Sequence, residues 1–423
     1  MNKKLTKSFF EHILICYVLL IPFVPIFGVI DRIGPQFLYL SITQMVVYCY
    51  LFFFRRKDIS IKFMKDNVVV VTYCIFIFIS LASFSFSINI IESLVEWNQY
   101  FTFFNSFLTI VLLMHVNSKL HGFILKMLIV LLGLEVLKTL SVFFEYYDSG
   151  KSFTRIREYQ GFSSNQNIGA FAILIKTPLL IYFILKAKQK YLLSFLFVLL
   201  MISIFSILII GSRGAILGLV IFIFFSIIWI SLSKETIVSS VKKKFLIVCS
   251  IIFFVGIFQN TLFKDSEIAL SKRSVSLLDE STNYRLERYK DAIHHILKNP
   301  FIGTGIGTWK IKASDYGRRD MMGYQVAYHA HNDFLQIGAE TGLFGMLSYI
   351  SIFCVLIFYS YKNYNLSLSF EDKFLYLTLF LMVLIFMIDS SLNFPRIRPY
   401  SQIVILYVMG FISIKSNKLR LKK

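Results

Sequence analysis

The sequence contains few charged residues, and this scarcity excludes a soluble globular protein. Asp, Glu, Lys and Arg make up 16% of the 423 residues, whereas 57% are hydrophobic. A soluble domain cannot bury so large an apolar fraction. Apolar runs of about 20 residues recur along the chain, the length that a helix needs to cross a hydrocarbon core of about 30 Å. The sequence therefore predicts an all-α integral membrane protein, since a membrane β-barrel would show short alternating segments.

Motifs for metal or nucleotide binding are also missing. The five cysteines lie in or beside apolar runs and show no C-x-x-C or Cys/His spacing, so neither a zinc site nor a disulfide framework is indicated. Gly303, Gly305 and Gly307 form G-x-G-x-G, but no predicted strand precedes them and no G-K-[ST] follows. We interpret these glycines as a tight turn that returns the chain to the membrane, with Trp309 at the interface.

About twelve apolar segments are predicted to span the membrane. They lie near residues 10–30, 36–54, 68–88, 97–116, 121–144, 167–185, 191–211, 214–232, 245–263, 342–361, 373–391 and 400–415. Lys and Arg are concentrated in the short segments on the side of the two termini, which predicts that both termini are cytoplasmic. The net charge of +20 therefore follows from topology and does not indicate nucleic acid binding. Lys126, Lys138 and Lys176 fall within predicted spans, and we expect them either to snorkel to the interface or to lie nearer a span end than predicted.

This pattern divides the chain into three parts. Residues 1–263 hold spans one to nine, residues 264–341 form a long, partly helical outer loop, and residues 342–423 hold spans ten to twelve and a basic cytoplasmic tail. Four of the seven histidines lie in or beside this loop's polar motifs, namely His294, His295, His329 and His331. A membrane protein that concentrates Arg, His and Asn in one outer loop is expected to perform its chemistry there.

Residues 283–299 are predicted to form an amphipathic helix that ends before Pro300. One side of this helix is apolar and contains Leu286, Tyr289, Ile293, Ile296 and Leu297. Arg285 borders this stripe, whereas Arg288 and His295 point away from it. Two interpretations remain open: a surface helix that lies on the bilayer, with its arginines at the level of lipid phosphates, or a solvated helix with incidental bases.

His329 and His331 precede the segment N-D-F-L-Q-I-G-A-E. If a helix starts near Asn332, then Asn332, Gln336 and Glu340 share one face. A neutral imidazole suits general-base work on a hydroxyl, and the alternative is that both histidines are structural. Metal ligation is less favoured, because the neighbouring acidic residues give no known zinc spacing.

Arginines mark a second candidate region. Arg213 lies in G-S-R-G-A between two long apolar runs. A guanidinium between two membrane spans is energetically costly, and its planar shape matches phosphate oxygens, so it indicates an anion site. The alternative is a plain turn with one interfacial arginine. Arg155 and Arg157 precede G-F-S-S-N-Q-N on the same outer side, where they either add to an anion site or only line the loop.

These motifs, together with N-Y-R-L-E-R-Y, N-P-F-I-G-T-G-I-G-T-W and H-N-D-F-L-Q-I-G-A-E-T-G-L-F-G, cover roughly residues 155–350. In combination they resemble the O-antigen ligase and O-antigen polymerase superfamily, which are integral membrane glycosyltransferases that use polyprenyl-diphosphate-linked glycans. The resemblance implies about twelve transmembrane helices and a large, partly helical periplasmic loop before the tenth span.

The resemblance also assigns site residues. Arg213 and Arg285 match the arginines that bind the diphosphate of an undecaprenyl-type carrier, and His331 matches the essential histidine, with His329 as second choice. Further substrate-binding candidates are Arg288, His329, Asn332, Glu340, Arg155 and Arg157. Neither a metal nor a nucleotide nor any other cofactor is implied, because the glycan is already activated as a diphosphate ester.

The function implied by the resemblance is transfer of a glycan from undecaprenyl diphosphate to a hydroxyl acceptor, lipid A–core, on the periplasmic face of the bacterial inner membrane. A repeat-unit polymerase of the same superfamily is the first alternative, and a protein O-glycosyltransferase ranks behind it. A flippase or transporter for the same lipid-linked glycan is the alternative from a different class, although flippases usually work from charges within the spans and lack a long outer loop. The expected partners are the lipid-linked donor, the acceptor and the lipid bilayer.

Overall fold

The computed structural model describes residues 3–25, 27–28, 33–148, 162, 165–232, 239–266, 268–275, 280–317 and 328–420. Within these ranges the protein is built from α-helices and short 3-10 turns, and no strand occurs. The helices are, in chain order, α1 (Lys3–Leu19), α2 (Gly34–Arg55), α3 (Ile61–Lys65), α4 (Val68–Ala82), α5 (Ile90–Val116), α6 (Leu120–Asp148), α7 (Gln166–Lys186), α8 (Lys190–Ile210), α9 (Arg213–Leu232), α10 (Ser239–Leu262), α11 (Leu270–Val275), α12 (Glu280–Lys298), α13 (Trp309–Gly317), α14 (Asp333–Leu366), α15 (Phe370–Leu392) and α16 (Pro399–Arg420).

Ten helical segments in the described part of the chain are long and apolar enough to cross a membrane. They are Gly34–Asp58, Val68–Phe86, Ile90–Val116, Leu120–Glu145, Gln166–Lys186, Lys190–Ile210, Arg213–Ser231, Ser239–Leu262, Asp333–Leu366 and Phe370–Leu392. The prediction of an all-α, multi-pass membrane protein is confirmed. The first and last predicted spans coincide with shorter helices: α1 has 17 residues and gives way to a 3-10 turn that contains Pro22, and the apolar part of α16 is Pro399–Lys415.

The described chain forms two compact units. The first comprises Met1–Phe123, Leu278–Asn363 and Ser390–Lys423, and the second comprises Ile124–Leu277 and Tyr364–Asp389. In the first unit α5 is central, because it packs against α2, α4 and α16. The core there is rich in aromatic rings that are fully buried, such as Phe76, Phe103 and Phe107. The predicted division of the chain at residues 263 and 341 stays a prediction.

In the second unit α7 packs against α8, α9 and α10, and it carries a lysine in the middle of its apolar sequence. The Nζ of Lys176 donates to both carboxylate oxygens of Glu135 on α6 at 2.7 Å and to the carbonyl oxygen of Ala172 at 2.6 Å. Both charged side chains are buried. The expectation that Lys176 snorkels is therefore wrong, because a carboxylate within reach satisfies the ammonium where it stands.

Candidate active site

The long helix α14 begins directly after the histidine motif. The side chain of Asn332 caps it by accepting a hydrogen bond from the backbone N–H of Leu335 at 3.0 Å, which confirms the predicted helix start. The backbone leaves helical geometry at Gly342, where φ is 72°, and the tenth span is predicted to begin at this residue. A Cβ at Gly342 would lie 2.5 Å from the carbonyl oxygen of Phe301, so only glycine fits.

The predicted polar stripe on this helix forms a chain of hydrogen bonds. Gln336 accepts from the backbone N–H of Ala330 at 3.1 Å and donates to Glu340 at 3.0 Å. Glu340 in turn accepts from the backbone N–H groups of Gly307 at 2.9 Å and Trp309 at 3.2 Å. These contacts join the histidine segment to the glycine turn, and they give Glu340 a structural role.

The glycine motif forms a tight turn, as the sequence predicts. Gly305 and Gly307 have φ angles of 97° and 79°, and the N–H of Gly305 donates to the backbone carbonyl of Glu340 at 2.8 Å. A Cβ on Gly307 would lie 2.4 Å from the Cβ of Glu96. The predicted interfacial position of Trp309 is wrong: its indole is fully buried, because alanines such as Ala292 leave room for it.

His331 adopts a left-handed backbone conformation with φ of 55°, which is uncommon for a residue other than glycine. The hydroxyl of Tyr289, on α12, lies 3.0 Å from the carbonyl oxygen of His331 and 2.9 Å from that of Ser391. Backbone strain of this kind persists only where the surroundings hold it, and α12 supplies such a contact.

The imidazole of His331 lies beside α12. Its ring centroid is 6.2 Å from that of Tyr284. Burial lowers the pKa of His331 to about 4, and the positive charge of Arg285 adds to this effect. Nδ1 of His331 has no hydrogen-bond partner among the described residues. The imidazole of His331 is therefore neutral and feels the positive charge of Arg285. Both residues are among those that the resemblance assigns to catalysis.

His329 packs against the same aromatic ring as His331. Its ring stacks on Phe394 at 4.2 Å between centroids, and the ring of His331 contacts Phe394 at 5.2 Å. The guanidinium of Arg398 lies 5.2 Å from the centroid of Phe394. Burial lowers the pKa of His329 well below its usual value, and the charges of Arg396, His331 and Arg398 contribute after burial.

Arg396 contacts the start of α14. Its Nε lies 3.1 Å from Oδ1 of Asp333, and its backbone N–H donates to Oδ2 of the same carboxylate at 3.1 Å. Its Nη1 lies 2.5 Å from Oε1 of Glu96 and also donates to the hydroxyl of Tyr100. Arg396 is almost fully buried. We call Arg396, Asp333, Glu96 and Tyr100 the Arg396 cluster.

Sequence reasoning missed the Arg396 cluster and Arg398. In the prediction of membrane topology, Arg396 and Arg398 are counted only as charges of a loop. The partners of Arg396 lie on α5 and α14, far away in sequence. A signal was available in N-F-P-R-I-R, where two arginines alternate with apolar residues in one short loop.

Arg288 is buried on α12, although it points away from the apolar stripe of that helix. Its Nη1 lies 3.2 Å from Oδ2 of Asp291, and its guanidinium lies 5.3 Å from the ring centroid of Tyr284. The face of α12 that the sequence presents as polar is therefore packed against protein. These contacts support a structural role for Arg288, and its predicted role in substrate binding stays a prediction.

The sequence also names Arg213, Arg155 and Arg157 as candidates. Arg213 belongs to the second unit, where Gly211 ends α8 with φ of 68° and Arg213 begins α9, which confirms the predicted break between two spans. Its role as a diphosphate ligand stays a prediction. Arg155 and Arg157 lie outside the described residues. Among the described residues, no group of three or more His, Cys, Asp or Glu side chains is arranged to hold a metal ion.

Comparison with known families adds an independent line of evidence. Residues 196–350 match a family described as O-antigen ligase. The match runs from within α8 into α14 and includes Arg213, Arg285 and His331. It confirms the predicted resemblance to the O-antigen ligase and polymerase superfamily over this part of the chain. No match to a curated protein was found.

Proposed function

We propose that this chain, whose residues 196–350 carry an O-antigen ligase domain, is a membrane glycosyltransferase of the ligase type. It transfers a glycan from an undecaprenyl-diphosphate carrier to a hydroxyl of lipid A–core on the periplasmic face of the bacterial inner membrane, with both termini in the cytoplasm. The domain match supports an enzyme of O-antigen ligation or polymerisation, and the ligase reaction is our proposal within that class.

The observation that carries the proposal is the placement of His331. It lies in a constrained left-handed conformation directly before α14, and Tyr289 contacts its carbonyl oxygen. Its pKa of about 4 keeps the imidazole neutral at neutral pH, so that it can accept a proton. Arg285, four residues from Tyr289 on α12, supplies a positive charge close to this base.

In the proposed reaction the acceptor hydroxyl attacks the anomeric carbon of the carrier-linked sugar. His331 takes the hydroxyl proton, and the bond between the anomeric carbon and the diphosphate oxygen breaks. Arg285 stabilises the negative charge of the departing diphosphate, a type of electrostatic contribution that is often the largest in catalysis. No metal or nucleotide takes part, since the energy for transfer resides in the diphosphate ester.

The low pKa of His331 makes it a weak base in the free protein. Binding of the donor changes this, because an anionic diphosphate beside Arg285 offsets the guanidinium charge and favours a protonated imidazole. The donor therefore raises the pKa of its own catalytic base. The resemblance assigns Arg213 as a second ligand of the diphosphate, and we include it in the proposal. The variant Arg213→Lys is tested in the assay described next.

The test is reconstitution of the full-length protein in lipid nanodiscs with a lipid-linked glycan and lipid A–core. The proposal predicts that glycan appears on lipid A–core, seen by gel electrophoresis and mass spectrometry of the lipid product. Longer glycan chains on the carrier, with none on lipid A–core, would identify a polymerase instead. Movement of the donor across proteoliposomes without any product would identify a flippase and contradict a transferase.

Metal independence is tested in the same assay. The rate of product formation is expected to stay unchanged in excess EDTA and without added nucleotide. A rate that falls with EDTA and returns with one divalent cation would contradict the proposed mechanism.

A further inference from the structure

Helix α12 exposes an apolar stripe. Leu286, Ile293 and Leu297 are spaced by seven and four residues, so they lie along one line of the helix. All three are exposed, and Leu297 is 74% exposed. The opposite side of α12 is buried, as Ala292 and His295 show. An extended apolar patch that the protein leaves uncovered marks a contact surface.

This stripe continues into a surface that faces lipid. Phe301, which is 66% exposed, follows the end of α12, and its ring lies 6.0 Å from that of Phe344. The backbone N–H of Leu343 donates to the carbonyl oxygen of Pro300 at 2.8 Å, which fixes the two segments together. Phe344 is itself exposed and lies just beyond Gly342 on a membrane-spanning helix. Exposed apolar side chains are therefore present along α12, at Phe301 after its end and at Phe344 on the span.

Basic side chains border the stripe. Lys290, His294 and Lys298 are exposed on one flank of α12. Glu287 is also exposed, with 58% of its side chain accessible, and lies about 100° around the helix from Leu286. Cationic groups beside an apolar stripe are typical of helices that lie in the headgroup layer of a bilayer.

We infer that α12 lies on the bilayer on the membrane side of the candidate active site, with Leu286, Ile293 and Leu297 inserted among lipid acyl chains. The occupant of this face is bilayer lipid, because the face is continuous with the lipid-facing surface of α14. The membrane thus supports one side of α12, and the protein core supports the other. One consequence rests on the proposed function: Arg285, next to Leu286, is held at the depth of lipid phosphates.

Photocrosslinking of the full-length protein in nanodiscs tests this contact. Benzoylphenylalanine replaces Leu297, Ile293 or, as the matched control on the same helix, Glu287. The nanodiscs contain phosphatidylethanolamine and phosphatidylglycerol, and intact-protein mass spectrometry counts lipid adducts after irradiation. We expect several-fold more lipid adduct at positions 297 and 293 than at 287.

Adducts at positions 297 and 293 that do not exceed those at 287 would overturn the inference. A covalent dimer from the same two positions would also overturn it, since a second copy of the chain would then cover the stripe. Two stripe positions guard against a local folding defect in one variant. Product formation is not measured, so the outcome is separate from the success or failure of the proposed transferase.

Discussion

Each of the two units contains an ionic cluster in its interior. In both clusters an opposite charge offsets the cost of burying a basic side chain, but the number of acidic partners differs. In the second unit one ammonium, Lys176, meets one carboxylate, Glu135, and the pair joins neighbouring helices. In the first unit one guanidinium, Arg396, meets two carboxylates, Asp333 and Glu96. The Lys176 pair therefore has one acidic side chain for one basic side chain, whereas the Arg396 cluster has two acidic side chains for one basic side chain.

The two clusters also differ in their neighbours. Asp333 follows His331 by two residues, and the charge of Arg396 contributes to the lowered pKa of His329. The Arg396 cluster therefore fixes the segment that carries both histidines. The pair of Lys176 and Glu135 holds α7 to α6. The buried charge of Lys176 thus serves helix packing, whereas the buried charge of Arg396 positions the candidate catalytic segment.

The largest effect is expected from Arg396→Met. This change leaves the buried Asp333 and the partly buried Glu96 without their cation, and removal of one partner of a buried ion pair costs roughly 3–5 kcal/mol. We expect a large drop in melting temperature together with loss of transferase product, measured by thermal unfolding and by the nanodisc assay. Lys312→Met is the control, because its partly exposed pair with Asp315 contributes only about 0–1 kcal/mol. An Arg396→Met protein as stable and active as the unaltered one would remove the positioning role.

Lys176→Met is expected to cost a similar roughly 3–5 kcal/mol, but the protein that remains folded should keep its activity. Adding Glu135→Leu removes the orphaned carboxylate, so we expect the double variant to recover most of the stability. Melting temperatures and product rates of the single and double variants provide the measurement. A folded double variant without activity would show that this pair is more than a packing device.

Gly342→Ala tests the kink in α14, which lies nine residues after Asp333 of the Arg396 cluster. Because φ is 72° and the added Cβ would approach Phe301, we expect a loss of about 1–3 kcal/mol. Gly122→Ala is the matched control, since nothing lies within 4 Å of the Cβ that it adds. A helical glycine in open space gains up to about 1 kcal/mol on this change. Equal melting temperatures for the two variants would argue against a fixed kink.

The effect that is smallest at neutral pH is a dependence of stability on pH. The pKa of His331 is lowered from 6.5 to about 4 in the folded protein, so the unfolded chain binds more protons between these values. Stability from this group is complete above pH 6.5 and is lost as the pH falls toward 4. We expect His331→Gln to flatten the fall in melting temperature over this range. An unchanged slope would mean that His331 titrates normally.

Composition and apolar run lengths were enough to predict the fold class and the approximate positions of the ten helices that are long and apolar enough to cross a membrane. Local chemistry indicated a helix start near Asn332 and the turn at Gly305 and Gly307, because each depends on a few adjacent residues. The left-handed conformation of His331 has no local signal, since it depends on contacts with α12.

Partners that are distant in sequence could not be predicted. Arg396 reaches Asp333 and Glu96 only after three separate helices have assembled. Periodicity identifies the apolar stripe of α12 but does not say which side faces protein, so the burial of Arg288 was missed. The carboxylate that keeps Lys176 inside the membrane comes from a neighbouring helix, and a single sequence does not show which helices are neighbours.

The most direct test of the account is the rate of glycan transfer by His331→Ala in nanodiscs, with His294→Ala as the control on an exposed histidine of α12. General-base catalysis contributes about 100-fold to 10,000-fold, so we predict a loss of this size for His331→Ala and little change for His294→Ala. A correctly inserted His331→Ala protein that transfers glycan at the unaltered rate would contradict the central claim.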